Sequence, residues 1–243
     1  MTRKDKRQAD ELRPVSFVPG YQRHPAGSVL ASFGNTRVLC AVSVETGVPR
    51  WMKEQNVPGG WITAEYQMLP SSTAQRTERE VMRGKLSGRS AEIQRLVGRS
   101  LRAVVDLSKL PGLTLYVDCD VIDADGGTRC ASITGASVAL QLAAAKLLKD
   151  GLITENPIIA QVAAVSVGLI DGQPLLDLCY EEDSAADVDM NIVMTNTGRY
   201  VEIQGSGEEA TFSDAELKKM LSLARRGLEG VFALQSTAVG QVQ

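Results

Sequence analysis

The sequence predicts an α+β fold made of two similar βαβ-type halves that share one core. Strand candidates come first in each half and helices follow them, the layout repeats after about residue 150, and no Pro-, Gly- or Ser-rich linker separates the two parts. The chain has 243 residues, 44% of them apolar, which suffices for one full core or two small ones packed intimately. The halves run from about residue 14 to 150 and from 151 to 237, within a single domain spanning 1–243. Residues 1–13 read as a mobile, charged arm, and Gln243 closes a short tail with no assigned role.

The elements follow in order. Residues 28–33 and 37–44 are apolar-rich strand candidates around Gly34-Asn35-Thr36, a hairpin signal. A loop rich in Gly, Pro, Ser and Thr runs from residue 46 to about 89, with a strand-like interruption at 61–66. So long a loop in a compact domain is usually functional or ordered by a partner. Ile93, Leu96, Val97, Leu101, Val104 and Val105 recur at helical spacing. Residues 113–121 alternate as a strand, and 132–148 read as an alanine-rich, mostly buried helix. The second half offers a strand pair at 159–170 and 174–180 around Asp171-Gly172, then 190–194 and 199–204 around Asn196-Thr197-Gly198. Ser213 and Glu216 form a capping box for the last helix, whose apolar face is Leu217, Met220, Leu221, Ala224, Leu228 and Phe232.

Composition excludes several function classes. His24 is the only histidine, so a Ser-His-Asp triad or a multi-histidine metal site would have to use it. Cys40, Cys119, Cys130 and Cys179 lack CxxC spacing and read as buried, reduced thiols of a cytoplasmic protein. Residues 1–12 have no apolar h-region, and no apolar stretch is expected to reach the ~18 residues that cross a bilayer, so no membrane partner is implied. Net charge is −3, yet residues 76–102 carry eight basic side chains, Arg83 among them, against three glutamates; that segment is +5 and the remainder −8. Such a segment can direct a polyanion to one place, and a solvated helix face with intrahelical ion pairs is the plainer account of it.

Two arginines stand just ahead of apparent helices: Arg89 in Gly88-Arg89-Ser90 and Arg129 in Gly126-Gly127-Thr128-Arg129. A helix start presents free N–H groups and the positive end of its dipole, and an arginine adds a fork of donors matched to phosphate oxygens. Residues 181–189 hold five acids in nine positions, a repulsive set unless a cation or solvent offsets it. Asp189, at the head of a strand and on the face opposite Val188 and Met190, could bind Mg²⁺ or act as a general acid. Asp118, Asp120, Asp123 and Asp125 lead into the second arginine corner. An EF-hand is rejected there, because its first and twelfth positions would be Val121 and Ser132; Asp118 and Asp120 read as the polar face of a strand or partners of nearby arginines. No GxxxxGK[ST] or strand-associated GxGxxG occurs, so the corners are not a nucleotide P-loop.

Taken together, residues 10–15 (DELRPV), 59–66 (GGWITAEY), 88–95 (GRSAEIQR), 125–129 (DGGTR) and 182–191 (EDSAADVDMN) closely resemble the ribonuclease PH family, in the family's order and over roughly residues 7–235. The resemblance implies two halves of the ribosomal-protein-S5-domain-2 type. It implies a cytoplasmic phosphorolytic 3′–5′ exoribonuclease that trims tRNA precursors and other RNA 3′ ends, releases nucleoside diphosphates, and assembles as a homohexamer, a trimer of dimers. By position, Arg89, Gly127, Thr128 and Arg129 would bind the attacking phosphate. Asp183 and Asp189 would be the catalytic carboxylates with Mg²⁺ beside them, and Arg76 and Arg79 would grip tRNA. Two positions depart from the family pattern: Ser71 stands where many members have a third tRNA-gripping arginine, and Cys130 where threonine is common. A hydrolytic two-metal nuclease would not need the arginine corners, and a silent ring subunit would lack the arginines or the aspartates.

Overall fold

Residues 3–207 and 210–242 are described by a computed structural model, apart from the side chain of Arg83; the charge of Arg83 and the tail residue Gln243 lie outside the described residues. The first half forms a five-stranded sheet, with strands in the order β1 (Val15–Pro19), β2 (Gly27–Phe33), β3 (Thr36–Thr46), β5 (Leu113–Asp123) and β4 (Trp61–Met68). Its helices are α1 (Arg50–Glu54), α2 (Gly88–Arg102) and α3 (Thr128–Lys149). The second half forms a four-stranded sheet ordered β7 (Gln173–Leu176), β6 (Val162–Ile170), β8 (Val188–Thr195) and β9 (Tyr200–Gly207), with α4 (Tyr180–Asp183) and α5 (Asp214–Gly240).

The hairpins stand where the turn chemistry puts them. Phe33 pairs with Thr36 around Gly34-Asn35, and Ile170 pairs with Gln173 around Asp171-Gly172, both residues of which have positive φ. β4 and β5 are parallel and joined through α2, a βαβ unit. The second sheet is antiparallel throughout, and only its β6–β7 pair is joined by a two-residue turn. The two halves therefore share a sheet-then-helix plan and differ in strand number and in the parallel β4–β5 pair, which only the first half has.

α3 packs on β2, β3 and β5 on one side and on β6 on the other, so the halves share one core through it. That position explains why it is apolar almost all round. Gly27 makes its close approach possible, since a Cβ there would overlap the Ala139 carbonyl oxygen. Contrary to expectation, Thr128–Lys149 is long and apolar enough by composition to cross a bilayer; here those side chains are buried between the sheets.

Two further expectations need correction. The long loop is broken by α1 and by a 3₁₀ turn at Glu80–Arg83 as well as by β4. The arm is packed, not free: Arg3, Arg7 and Arg13 are buried, and residues 15–19, which no pattern had singled out, form edge strand β1 against β2. The capping box at Ser213 is present, with Glu216 N–H on Ser213 Oγ at 3.3 Å and Ser213 N–H on Glu216 Oε2 at 2.7 Å.

Candidate active site

The starts of α2 and α3, the end of α4 and the strands β8 and β9 converge on one cavity of about 450 Å³. Arg89, Gly127, Thr128 and Arg129 form one wall; Asp183 and Asp189 form another; Asn191, Gln204, Gly205 and Ser206 close it. All six side chains and backbone positions assigned to phosphate and to the acids by family resemblance thus line a single space. Arg76 and Arg79 do not line it. They are exposed on the loop after β4, where the Arg79 charge offsets part of the rise that burial and Glu65 impose on the Asp120 carboxyl.

The two arginine corners are built differently. Both arginines lie inside the first helical turn, second in their helices, and not ahead of them. At α2, Ser87 Oγ caps the start by accepting from Ser90 N–H at 3.0 Å, and Ser90 Oγ donates to Glu80 at 2.7 Å, so the expected hydroxyl is already engaged. The α2 corner contributes the Arg89 guanidinium, which is exposed. At α3 the cap is Gly127 at φ 66°, with no side-chain cap, so the first-turn N–H groups stay open to an anion. Thr128 Oγ1 shares a 2.9 Å hydrogen bond with the buried Tyr66 hydroxyl. Burial pushes the Tyr66 phenol up, against the lowering pull of the Thr128 contact and of the Arg89 and Arg129 charges. Cys130, one residue on, donates its thiol to Asn191 Oδ1 at 3.2 Å, and burial pushes that thiol up to about 12. It orients a cavity residue and stays protonated.

The acid wall is held from a distance. Gly126, at φ 76°, lies so close to the chain before α4 that a Cβ would stand 2.6 Å from the Leu178 carbonyl oxygen. Arg13 clasps Asp177 with two hydrogen bonds of 2.9 and 2.7 Å and reaches the Asp125 and Gly126 carbonyls, tying the α3 corner to the second half. Burial disfavours the Arg13 cation, and the Asp177 carboxylate more than offsets this and raises its pKa. Arg3 forks onto Glu182 at 2.7 Å twice, Arg7 donates to the Asp177 carbonyl at 3.0 Å, and Lys4 pairs with Glu181 at 2.6 Å. Burial alone would raise the Glu182 carboxyl; the Arg3 bonds, the Cys179 N–H and the Arg7 charge hold it below its ordinary value. The cation that offsets the acidic run is thus the packed arm. Asp189 makes no side-chain hydrogen bond or ion pair with the described residues, and half-buried at the head of β8 it points its carboxylate into the cavity.

Asp118 and Asp120 lie elsewhere, opposite Glu65 and Gln67 on the polar face of the first sheet; burial and the Glu65 charge raise both. The basic segment divides. Arg99 pairs with Glu202, and Arg102 stacks 4.6 Å over the Trp61 ring, so these two are structural, while Arg76, Arg79, Lys85 and Arg95 remain exposed. Sequence reasoning missed Asn191, Gln204, Gly205 and Ser206 as cavity residues; the available signals were the place of Asn191 in the 182–191 segment and of Gln204 at the end of the predicted 199–204 strand.

The chain is similar to known proteins in sequence and in fold. The sequence model of the 3′ exoribonuclease family, domain 1, matches residues 11–146, and that of domain 2 matches 160–227. A protein named ribonuclease PH from Corynebacterium efficiens is 56% identical over 239 residues, covering 98% of this chain and 97% of its own length. One of the same name from Bacillus pumilus is 56% identical over 242 residues, covering 99% of both. Among solved structures, an Archaeoglobus fulgidus exosome chain with RNA bound to the active site superposes with a TM-score of 0.79 at 25% identity, over 95% of this chain and 92% of its own. Rice Rrp46 superposes at 0.78 and 20% identity, over 98% and 100%, a likeness of fold.

Proposed function

The chain belongs to the ribonuclease PH family of 3′ exoribonucleases, and from that premise we propose that the cavity between the two helix starts and the acid segment is its active site. The activity is phosphorolytic 3′–5′ exoribonuclease action in tRNA processing, that of a phosphate-dependent tRNA nucleotidyltransferase. A phosphate oxygen attacks the terminal phosphodiester, the bond to the 3′-oxygen breaks, and the nucleotide leaves as a diphosphate.

The observation that carries the site assignment is the convergence of Arg89, Arg129 and the uncapped start of α3 with Asp183 and Asp189 in one cavity. Phosphate and diester are both anions and repel in water. Arg89, Arg129 and the α3 amides neutralise the nucleophile and aim it, an orientation effect worth up to ~7–11 kcal/mol in ideal intramolecular cases. Two carboxylates beside a phosphate site are the donors Mg²⁺ takes, together with phosphate oxygens and waters. Among the described residues no third carboxylate, histidine or cysteine joins them into a closed metal cage, so Asp183 and Asp189 would hold the ion with the substrate's own oxygens. When bound, Mg²⁺ supplies positive charge at the scissile phosphate. The leaving 3′-oxygen needs a proton, and the same two carboxyls are placed to deliver one.

Beyond the cavity, Arg76 and Arg79 grip the tRNA backbone; their exposure on a basic loop supports this. The working assembly is a homohexamer, a trimer of dimers. The exosome-core likeness supports a ring, as do Val81 and Met82, 75% and 74% exposed, which a second copy would cover. The compartment is the cytoplasm, in keeping with four unpaired cysteines.

A 3′-extended tRNA incubated with and without phosphate tests the reading. Diphosphates formed only with phosphate are expected; monophosphates would indicate hydrolysis, and no turnover a silent subunit. A stable active monomer by solution mass would contradict the ring.

A further inference from the structure

Arg129 is held by two partners on different elements. Its Nη1 donates to Gln204 Oε1 on β9 at 2.5 Å and lies 3.6 Å from Glu92 Oε2 on α2. Gln204 Nε2 in turn donates to Glu92 Oε1 at 3.4 Å. Three side chains from α2, α3 and β9, and so from both halves, close a polar ring at the cavity wall. Glu92 follows Arg89 by three residues on the same side of α2, so the ring also touches the helix that carries the other arginine. The Gln204 amide has one workable orientation: turned over, it would set its NH₂ against the guanidinium and its oxygen against a carboxylate.

The ring uses one corner of the guanidinium. Arg129 Nε and Nη2 make no hydrogen bond with the described residues, and those two parallel N–H groups are the fork that meets an oxyanion with two bonds. A brace has a physical purpose here. Asp183 and Asp189 line the same cavity, and an unrestrained arginine would be drawn to pair with one of them, closing the site to both phosphate and metal.

We propose that Gln204, backed by Glu92, is a positioning residue for phosphate recognition, locking Arg129 with its Nε–Nη2 fork toward inorganic phosphate. The inference rests on the reading of the cavity as the phosphate site. Gln204 is half-buried on edge strand β9, so replacing it leaves the core intact.

The test is phosphate saturation of RNA trimming by Gln204→Met, which keeps the bulk of the side chain and removes both hydrogen bonds. The Michaelis constant for phosphate should rise about tenfold, the loss of one bond to a charged group, while kcat at saturating phosphate and the Michaelis constant for RNA change little. A merely structural role would lower the melting temperature or kcat without that split. In an Arg129→Ala background the substitution should add nothing, because it acts through Arg129; additive effects would overturn the proposal. If Arg129→Ala raises the phosphate requirement and Gln204→Met does not, the brace is wrong and the phosphate site stands. If neither moves it, the phosphate-site reading falls and the brace with it.

Discussion

The two walls of the cavity reach the same space by opposite means. The phosphate wall is local: each arginine sits in the first turn of its own helix, a few residues from the glycine or serine that caps it. The acid wall is remote: Asp183 ends a helix of four residues, and the chain before it is held by Arg3, Arg7 and Arg13 from more than 160 positions away. A wall made of helix starts is organised by backbone geometry, whereas a wall made of a short segment depends on buried ion pairs. Damage to the first should change phosphate binding and leave the fold alone. Damage to the second should reach both activity and stability.

The largest effect should come from the acid wall's own chemistry. Asp189→Asn keeps shape and removes the charge and the proton-transfer capacity, so kcat should fall about 10²–10⁴-fold with little change in melting temperature. Next is the support behind it. Arg13→Met removes both side-chain hydrogen bonds to the buried Asp177 carboxylate and leaves the 3.6 Å contact with Arg7 as its ion pair, a loss of about 3 kcal/mol, visible as a lower urea midpoint. The equivalent change at the phosphate wall, Arg89→Met, should leave the urea midpoint unmoved, since that side chain is exposed.

That contrast also explains what could be read from the sequence. The hairpins at Gly34-Asn35 and Asp171-Gly172 and the capping box at Ser213 are encoded within a few residues and are where the local chemistry predicts; the starts of α2 and α3 are legible to within a few residues, each helix beginning before its arginine and not after it. The arm was misread as mobile because its partners, Asp177 and Glu182, lie in the other half, and no local pattern distinguishes a charge that will be buried and paired from one that will be solvated. β1 was missed for the same reason: it is a short edge strand whose identity comes from pairing with β2. Gln204 carries no motif; only the tertiary fold, which brings β9 to the starts of α2 and α3, places it beside Glu92 and Arg129.

A smaller effect is expected at the joint between the walls. Gly126→Ala would place a Cβ against three backbone atoms of residues 178–180 at a positive φ, costing about 1–3 kcal/mol and moving the acid segment, so kcat should fall together with the melting temperature. The smallest is a pH effect. The folded Glu182 carboxyl lies below its ordinary value, so its contribution to stability is complete above that value and is lost as pH falls through the depressed one. Arg3→Gln should therefore lower the urea midpoint at neutral pH, and the gap to the parent protein should shrink in acid, where Glu182 is protonated in both.

The most direct test of the central claim, that one wall holds the nucleophile and the other does the chemistry, is the phosphate saturation curve of RNA trimming by Arg129→Ala and Asp189→Asn side by side. The arginine variant should need about 10- to 100-fold more phosphate for half-saturation, the loss of one or two charge-assisted hydrogen bonds. The aspartate variant should saturate at the parental phosphate concentration with a much lower plateau. An arginine variant that saturates at parental phosphate, or an aspartate variant whose only defect is in phosphate binding, would contradict the assignment of the two walls.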